Sequence, residues 1–245
     1  MTSLPVEDAA ALVVDDLSVN YRNVPACRRI TLTLDRGQCT AVVGANGAGK
    51  SSLVAAIAGL TPAWRGTVSL AGQDISRLPA FLRARAGLAL VPEARNLFPE
   101  MTVGETLRLA ARPDRVSAGR WDRAAVLKLF PQMRDRETSL AGNLSGGERQ
   151  MLAIARGLLL NPFAILLDEP SAGLAPGVVE ELIRAIQNML HEGMAVLLVE
   201  QSVHAARVLG DHVAVMQDGA IVQRGGREVL AGEDSLRRAY LGRSE

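Results

Sequence analysis

The stretch Gly44-Ala45-Asn46-Gly47-Ala48-Gly49-Lys50-Ser51 decides the fold of this 245-residue chain. Its glycine, lysine and hydroxyl residues have the spacing of a phosphate-binding loop. The apolar segment 39–43 before it predicts a buried strand, and the small and apolar residues of 49–60 predict a helix. A strand, a glycine-rich loop and a helix in this order form the setting in which such a loop binds phosphate. A glycine-rich turn without a ligand is the weaker alternative, because motif and context agree.

The residues of this loop supply the groups that a nucleoside triphosphate and Mg²⁺ require. The glycines let backbone amides face phosphate oxygens, and the helix that begins there adds the positive end of its dipole. We predict that Lys50 contacts the β- and γ-phosphates and that Ser51 coordinates Mg²⁺. The next residue, Ser52, belongs to the predicted nucleotide-binding set.

Two acidic residues, Asp168 and Glu169, follow the apolar segment 164–167. Carboxylates at the end of a buried parallel strand lie where ligands meet such sheets. We predict that Asp168 belongs to the magnesium shell and that Glu169 polarises the attacking water as a general base. A solvated acid at a strand end is the alternative for Glu169, and the phosphate-binding loop in the same chain argues against it.

The remaining pattern predicts an α/β chain with a parallel sheet. Predicted strands cover 11–21, 30–34, 67–70, 88–91 and 195–199, and predicted helices cover 78–85, 103–112, 123–130, 147–160 and 177–191. Arg36-Gly37 predicts a hairpin between 30–34 and 39–43. Asp218-Gly219 predicts another between 213–216 and 220–222, followed by a short terminal helix.

Composition argues against several classes of protein. With 27 basic and 26 acidic residues, the chain has no overall attraction for nucleic acid. Cys27 and Cys39 lack metal-site spacing, and no spacing unites the three histidines, which we expect in surface or packing roles. No secretory signal is evident, and the apolar stretches fall short of the roughly 18 residues of a spanning helix. We expect a cytoplasmic protein of one domain, 1–245.

A second predicted anion site, Asn143-Leu144-Ser145-Gly146-Gly147-Glu148-Arg149-Gln150, opens a helix with a serine and two glycines. Its LSGGERQ resembles the signature motif of ABC ATPases, and it precedes LLDEP as in that family. The resemblance spans almost the whole chain. It implies a P-loop NTPase fold with a parallel-sheet core, an antiparallel β subdomain and a helical subdomain at about 95–143. It also implies hydrolysis of ATP with Mg²⁺ to drive a transporter.

The same resemblance implies a set of partners. Two such domains pair head to tail in the family, so Ser145, Gly146 and Gly147 are expected to close over ATP held by a second ATPase subunit. Two membrane permeases, and indirectly a solute-binding protein, complete the expected assembly on the cytoplasmic face of the inner membrane. Tyr21 stands where an aromatic ring usually stacks on adenine, and packing is the alternative for it.

Three positions depart from the family's usual residues. Glu93 replaces a glutamine and can still approach magnesium; Gln201 replaces a histidine and can donate to the γ-phosphate without carrying charge. Ala175 replaces an aspartate that couples the two sites. The segments VPE, SAGLAP and VEQ resemble one of the two ATPase subunits of branched-chain amino acid importers. That subunit pairs with a different ATPase, so we expect a heterodimer with unequal sites, with a homodimer as the alternative.

The transported solute stays open at this stage. Leucine, isoleucine or valine is the favoured cargo, while urea, short amides or lipopolysaccharide compete because the ATPase never touches the solute. A non-transport ABC ATPase that clamps nucleic acid is disfavoured by the lack of sustained heptads and the near-neutral charge. A nucleotide sensor that barely hydrolyses is kept open by Gln201.

Overall fold

The computed structural model describes residues 10–21, 24–111 and 120–230, which form two β-sheets and the helices around them. The strands are β1 Leu12–Tyr21, β2 Val24–Leu34, β3 Cys39–Val43, β4 Ala63–Leu70, β5 Gln73–Asp74, β6 Leu88–Val91, β7 Ala164–Asp168, β8 Ala195–Glu200, β9 His212–Gln217 and β10 Ala220–Gly225. The helices are α1 Lys50–Ile57, α2 Ala80–Ala86, α3 Val103–Ala110, α4 Arg123–Leu129, α5 Gln132–Asp135, α6 Gly146–Leu158, α7 Pro176–His191 and α8 Val203–Leu209, with 3-10 turns at Ala141–Asn143 and Arg227–Leu230.

The larger sheet has the order β10-β9-β3-β8-β7-β6, and all its neighbouring pairs except β9–β10 are parallel. β3 and β8 are buried along their whole length, which explains why both are apolar runs rather than alternating strands. In register, Val43 pairs with Glu200 and Asp168 pairs with Val199. The phosphate-binding loop, the acidic pair and the end of β8 therefore lie at one edge of the sheet.

The smaller sheet is antiparallel and has the order β2-β1-β4-β5. It corrects one prediction, because β2 and β3 belong to different sheets and Arg36-Gly37 connects the two sheets instead of closing a hairpin. The turn residues were recognised correctly, but β2 finds its hydrogen-bonding partner in β1, and Cys39 pairs with Val196 in β8. Asp218-Gly219 does close the β9–β10 hairpin, with φ of 48° and 78° as a tight two-residue turn requires.

Two hydrophobic clusters hold the described elements together. One packs the parallel sheet against α6, α7 and α8 and continues through Phe130 and Met133 into the helices α3 to α5. The other fills the space between the two sheets and buries Leu53 and Ile57 of α1. Helix α1, which starts at the phosphate-binding loop, therefore packs against residues of both sheets.

Most predicted elements lie within a few residues of their expected bounds, and the α/β fold class is confirmed. The pattern did not predict the short α5 and β5. The expected terminal helix falls beyond residue 230, outside the described residues.

Over the described ranges, no helix has the length and apolar character needed to cross a bilayer. The three histidines are exposed, and the described residues contain no His, Cys, Asp and Glu cluster arranged for a metal.

Candidate nucleotide-binding site

A cavity of about 960 Å³ opens at the edge of the parallel sheet where β3 ends. Several of its lining residues were predicted from the sequence, namely Asn46, Gly47, Gly49, Lys50, Ser51, Ser52, Glu93, Glu169 and Gln201. Others were not predicted, namely Val24, Pro25, Ala26, Arg28, Ala172, Asp218 and Gly219. The unpredicted residues come from the start of β2, from the loop after Glu169 and from the β9–β10 hairpin, which the fold brings beside the loop.

The backbone of the phosphate-binding loop depends on glycine at two tight positions. Gly49 has φ of 103°, and a Cβ atom there would lie 2.2 Å from the carbonyl oxygen of Ala26. A Cβ on Gly44 would lie 2.3 Å from the carbonyl oxygen of Met216. Ala45 and Ala48 close a turn between them through an N–H···O bond of 3.2 Å. The first turn of α1 has no side-chain cap, so its N–H groups are free to bind an anion.

Lys50 is buried at the bottom of the cavity, with 3% of its surface exposed. Its Nζ donates to the carbonyl oxygens of Gly44 and Ala45 at 2.9 and 3.0 Å, and forms an ion pair with Glu169 Oε1 at 3.0 Å. Three oxygen atoms, two from backbone carbonyls and one from a carboxylate, therefore lie within hydrogen-bonding distance of the Lys50 ammonium.

Ser51 and Asp168 form the oxygen-rich part of the site. Ser51 Oγ donates to Asp168 Oδ1 at 3.2 Å. Burial raises the pKa of the Asp168 carboxyl to about 6, helped by the nearby charges of Glu169 and Glu93 and opposed by Ser51 and Lys50. A divalent cation would favour the ionised carboxylate. Hydroxyl and carboxylate oxygens are ligands that Mg²⁺ prefers, so these residues fit that ion.

Glu169 turns towards the cavity because its backbone is held in a left-handed conformation, with φ of 46°. Its N–H donates to the carbonyl oxygen of Val199 at 2.8 Å, which fixes this turn against β8. Such a conformation costs a non-glycine residue roughly 1–3 kcal/mol and concentrates at functional sites. Gln201 follows β8 and reaches the same cavity. Tyr21 ends β1, and its side chain lies outside the described residues.

The signature segment lies elsewhere on the surface. Ser145 caps α6 through a reciprocal pair of hydrogen bonds with Glu148, at 3.2 and 2.7 Å. Ser145 is exposed and Gly146 half-buried, while Gly147 is buried against α7. None of these three residues lines the nucleotide cavity of the same chain.

Residues 27–172 match the sequence profile of the ABC transporter family. This chain belongs to that family. Among known proteins, the high-affinity branched-chain amino acid transport ATP-binding protein BraG of Pseudomonas aeruginosa is 36% identical over 231 residues, covering 94% of this chain and 99% of BraG. The lipopolysaccharide export system ATP-binding protein LptB of Escherichia coli K12 is 31% identical, covering 95% of this chain and 98% of LptB.

The fold of this ABC protein is also that of a solved relative. The crystal structure of the ADP conformation of MJ1267, an ATP-binding cassette of an ABC transporter, superposes with a TM-score of 0.78 at 24% identity, over 94% of each chain. As a member of the family, the chain binds nucleotide and hydrolyses ATP to power transport.

The contact between Gly147 and α7 gives a prediction for the stability of this ABC ATPase. A Cβ on Gly147 would lie 2.3 Å from Val178 Cγ1, so Gly147→Ala overpacks the α6–α7 junction. We expect its free energy of unfolding to fall by about 1–3 kcal/mol in urea denaturation. Val178→Ala should recover most of that loss in the double variant. If the double variant instead lost the sum of the two single-variant losses in free energy of unfolding, the predicted clash between residue 147 and Val178 would be contradicted.

Proposed function

We propose that this chain is the ATP-hydrolysing subunit of a branched-chain amino acid importer, with leucine as a representative cargo. The similarity to BraG over 94% of this chain and nearly the whole of BraG carries the proposal for the cargo. The segments around Glu93, Ala175 and Gln201 support it, because they resemble one ATPase subunit of such importers. Lipopolysaccharide export is the second candidate, favoured by the similarity to LptB.

The arrangement of the cavity supports a role for each polar residue in ATP hydrolysis. Lys50 would leave Glu169 for the β- and γ-phosphates while the N–H groups of the loop bind phosphate oxygens. Ser51 and Asp168, with Glu93 nearby, would hold Mg²⁺, which when bound neutralises charge on the phosphates. Glu169, released from Lys50, would orient the attacking water and take its proton.

Two further residues are assigned to the nucleotide in this proposal. Gln201 would donate a hydrogen bond to the γ-phosphate. Tyr21 would stack on adenine at the end of β1. Arg28 and Asp218, which line the cavity, would meet the part of the nucleotide that extends away from Lys50.

The position of the signature segment supports a head-to-tail dimer. Ser145 is exposed at the start of α6 and faces a different surface from the cavity of its own chain. A second ATPase subunit would place its own cavity against this surface, so that Ser145, Gly146 and Gly147 contact that subunit's ATP. A different ATPase with a histidine in place of Gln201 would give the pair two unequal sites.

Exposed apolar side chains on the helical part of the chain support contact with membrane permeases. Phe98, Leu109 and Leu140 are 61%, 70% and 41% exposed. An isolated bridge between Thr102 and Leu140 brings the Leu140 segment beside that of Phe98. We propose that residues 1–245 form one ABC ATPase domain whose helical subdomain, about 95–143, faces two permeases. The subunit would then sit peripherally on the cytoplasmic face of the inner membrane, served indirectly by a solute-binding protein and without nucleic acid.

Uptake of labelled leucine tests the cargo in the native cell. A chromosomal Glu169→Gln allele should abolish this uptake, while Glu192→Gln, an exposed change at the end of α7, should leave it at the wild-type rate. Normal leucine uptake in Glu169→Gln cells would contradict the importer proposal. Loss of labelled urea or amide uptake, or of lipopolysaccharide at the cell surface, would then identify the alternative cargo.

A further inference from the structure

A buried carboxylate, that of Glu200, lies between the two loops that carry Glu169 and Gln201. Glu200 is the last residue of β8 and is 1% exposed. Because β8 pairs with β3 on one side and β7 on the other, Glu200 lies in the middle of the sheet edge where the nucleotide cavity opens. The chemistry proposed for ATP hydrolysis does not use this side chain.

Both loops donate hydrogen bonds to the Glu200 carboxylate. Its Oε1 accepts from the backbone N–H of Ser171 at 3.0 Å, two residues after Glu169. The side chain of Ser171 and the backbone N–H of Ser202, next to Gln201, also donate to it. The carboxylate thereby joins the loop after β7 to the loop after β8.

The backbone of the same strand end reaches the phosphate-binding loop. The carbonyl oxygen of Glu200 accepts from the N–H of Gly44 at 3.4 Å, and that of Val199 accepts from the N–H of Glu169 at 2.8 Å. Three segments that line the nucleotide cavity therefore meet at Glu200. Only the contacts made by its side chain depend on the carboxylate.

Core packing alone does not explain an acid at this position. The other residues of β8, Ala195 to Val199, are all apolar and buried. Over the described residues, Glu200 has no lysine, arginine or histidine within ion-pair distance. Burial raises the pKa of the Glu200 carboxyl, and hydrogen bonds from Ser171 and Ser202 oppose that rise. A buried acid without a cation is unfavourable unless N–H and O–H groups satisfy it, so its contacts point to a role beyond filling space.

We propose that Glu200 is a positioning residue that holds the loop of Glu169 in register with Gln201 during ATP hydrolysis. This inference rests on the roles proposed for those two residues. Glutamine at position 200 would keep one acceptor oxygen but turn an NH₂ group towards N–H donors, so contacts to one loop would be lost. Displacement of a catalytic group by about 1 Å can cost roughly 100-fold in rate.

Steady-state kinetics of the full-length chain test this role. Glu200→Gln is expected to lower kcat by about tenfold, because glutamine keeps one acceptor oxygen and therefore the hydrogen bonds to one of the two loops. The Kd for ATP, measured by calorimetry, should stay at its wild-type value, because the phosphate-binding loop contacts Glu200 through backbone atoms. Glu192→Gln is the matched control and should leave both quantities unchanged. Wild-type kcat in Glu200→Gln would overturn the proposal.

A double variant separates positioning from a general effect on stability. In a Glu169→Gln background, Glu200→Gln should not lower the residual turnover further, because the group that it positions is already absent. Equal fold losses in both backgrounds would overturn the proposal. If Glu200→Gln does not fold, Glu200→Asp decides in its place. Aspartate keeps the charge but is one methylene shorter, so it should lose the 3.0 Å hydrogen bond from the Ser171 N–H and lower kcat by about threefold, and an unchanged kcat would refute the role.

The same measurements distinguish this inference from the proposed function. Wild-type turnover in Glu169→Gln would refute the general-base assignment and the positioning role with it. Lost turnover in Glu169→Gln together with wild-type turnover in Glu200→Gln would refute the positioning role alone.

Discussion

Replacing Glu169 with glutamine is expected to lower kcat for ATP hydrolysis by about 10²- to 10⁴-fold, because an amide cannot take a proton from the attacking water. The change is nearly isosteric, so the left-handed backbone turn and its hydrogen bond to Val199 should persist. Release of inorganic phosphate from the purified full-length chain measures the effect.

The same variant should bind ATP at least as tightly as the wild-type chain. Lys50 is paired with Glu169 at 3.0 Å before nucleotide enters, and removing the carboxylate charge removes the competitor for Lys50. Calorimetric titration with ATP measures the Kd, with Glu192→Gln as the control for loss of one acidic charge. Turnover equal to wild type would contradict the general-base role and favour the nucleotide sensor.

The parts of the site that the sequence predicts well are local ones. The phosphate-binding loop lies between a buried strand and a helix, so its conformation follows from residues within one short segment. Asp168 and Glu169 lie at the end of β7, at the edge of the parallel sheet, as the end of an apolar strand predicts. For these residues, sequence position and spatial position are closely linked.

The features that the sequence did not predict depend on pairing between distant segments. Arg36-Gly37 has turn chemistry, yet the partner of β2 is β1, which no local signal specifies. Arg28 and Asp218 reach the cavity because β2 and the β9–β10 hairpin meet there, as the 2.7 Å bond from Arg28 N–H to the carbonyl of Gly219 shows. The contacts of Glu200 with Ser171 likewise require β7 and β8 to be neighbours.

Replacing Lys50 with methionine should weaken both ATP binding and hydrolysis, in contrast to the Glu169 change. Methionine fills similar space in a buried position but offers no charge to the β- and γ-phosphates. We expect kcat to fall by about 10²- to 10³-fold, the range seen when one donor to a developing negative charge is removed. The Kd for ATP should rise by at least about tenfold, since hydrogen bonds to charged groups contribute roughly 1.5–3 kcal/mol.

A comparison with Lys50→Arg decides whether charge alone is sufficient at this position. Lys50 Nζ lies within 3.0 Å of two carbonyl oxygens and of Glu169, a geometry that suits a compact ammonium. The larger, planar guanidinium cannot meet all three at once, so we expect Lys50→Arg to recover little of the lost kcat. Full recovery would mean that the cavity requires only a positive charge. Opposite changes in Kd for the Lys50 and Glu169 variants, as expected here, would mean that ATP displaces the 3.0 Å ion pair between these two side chains.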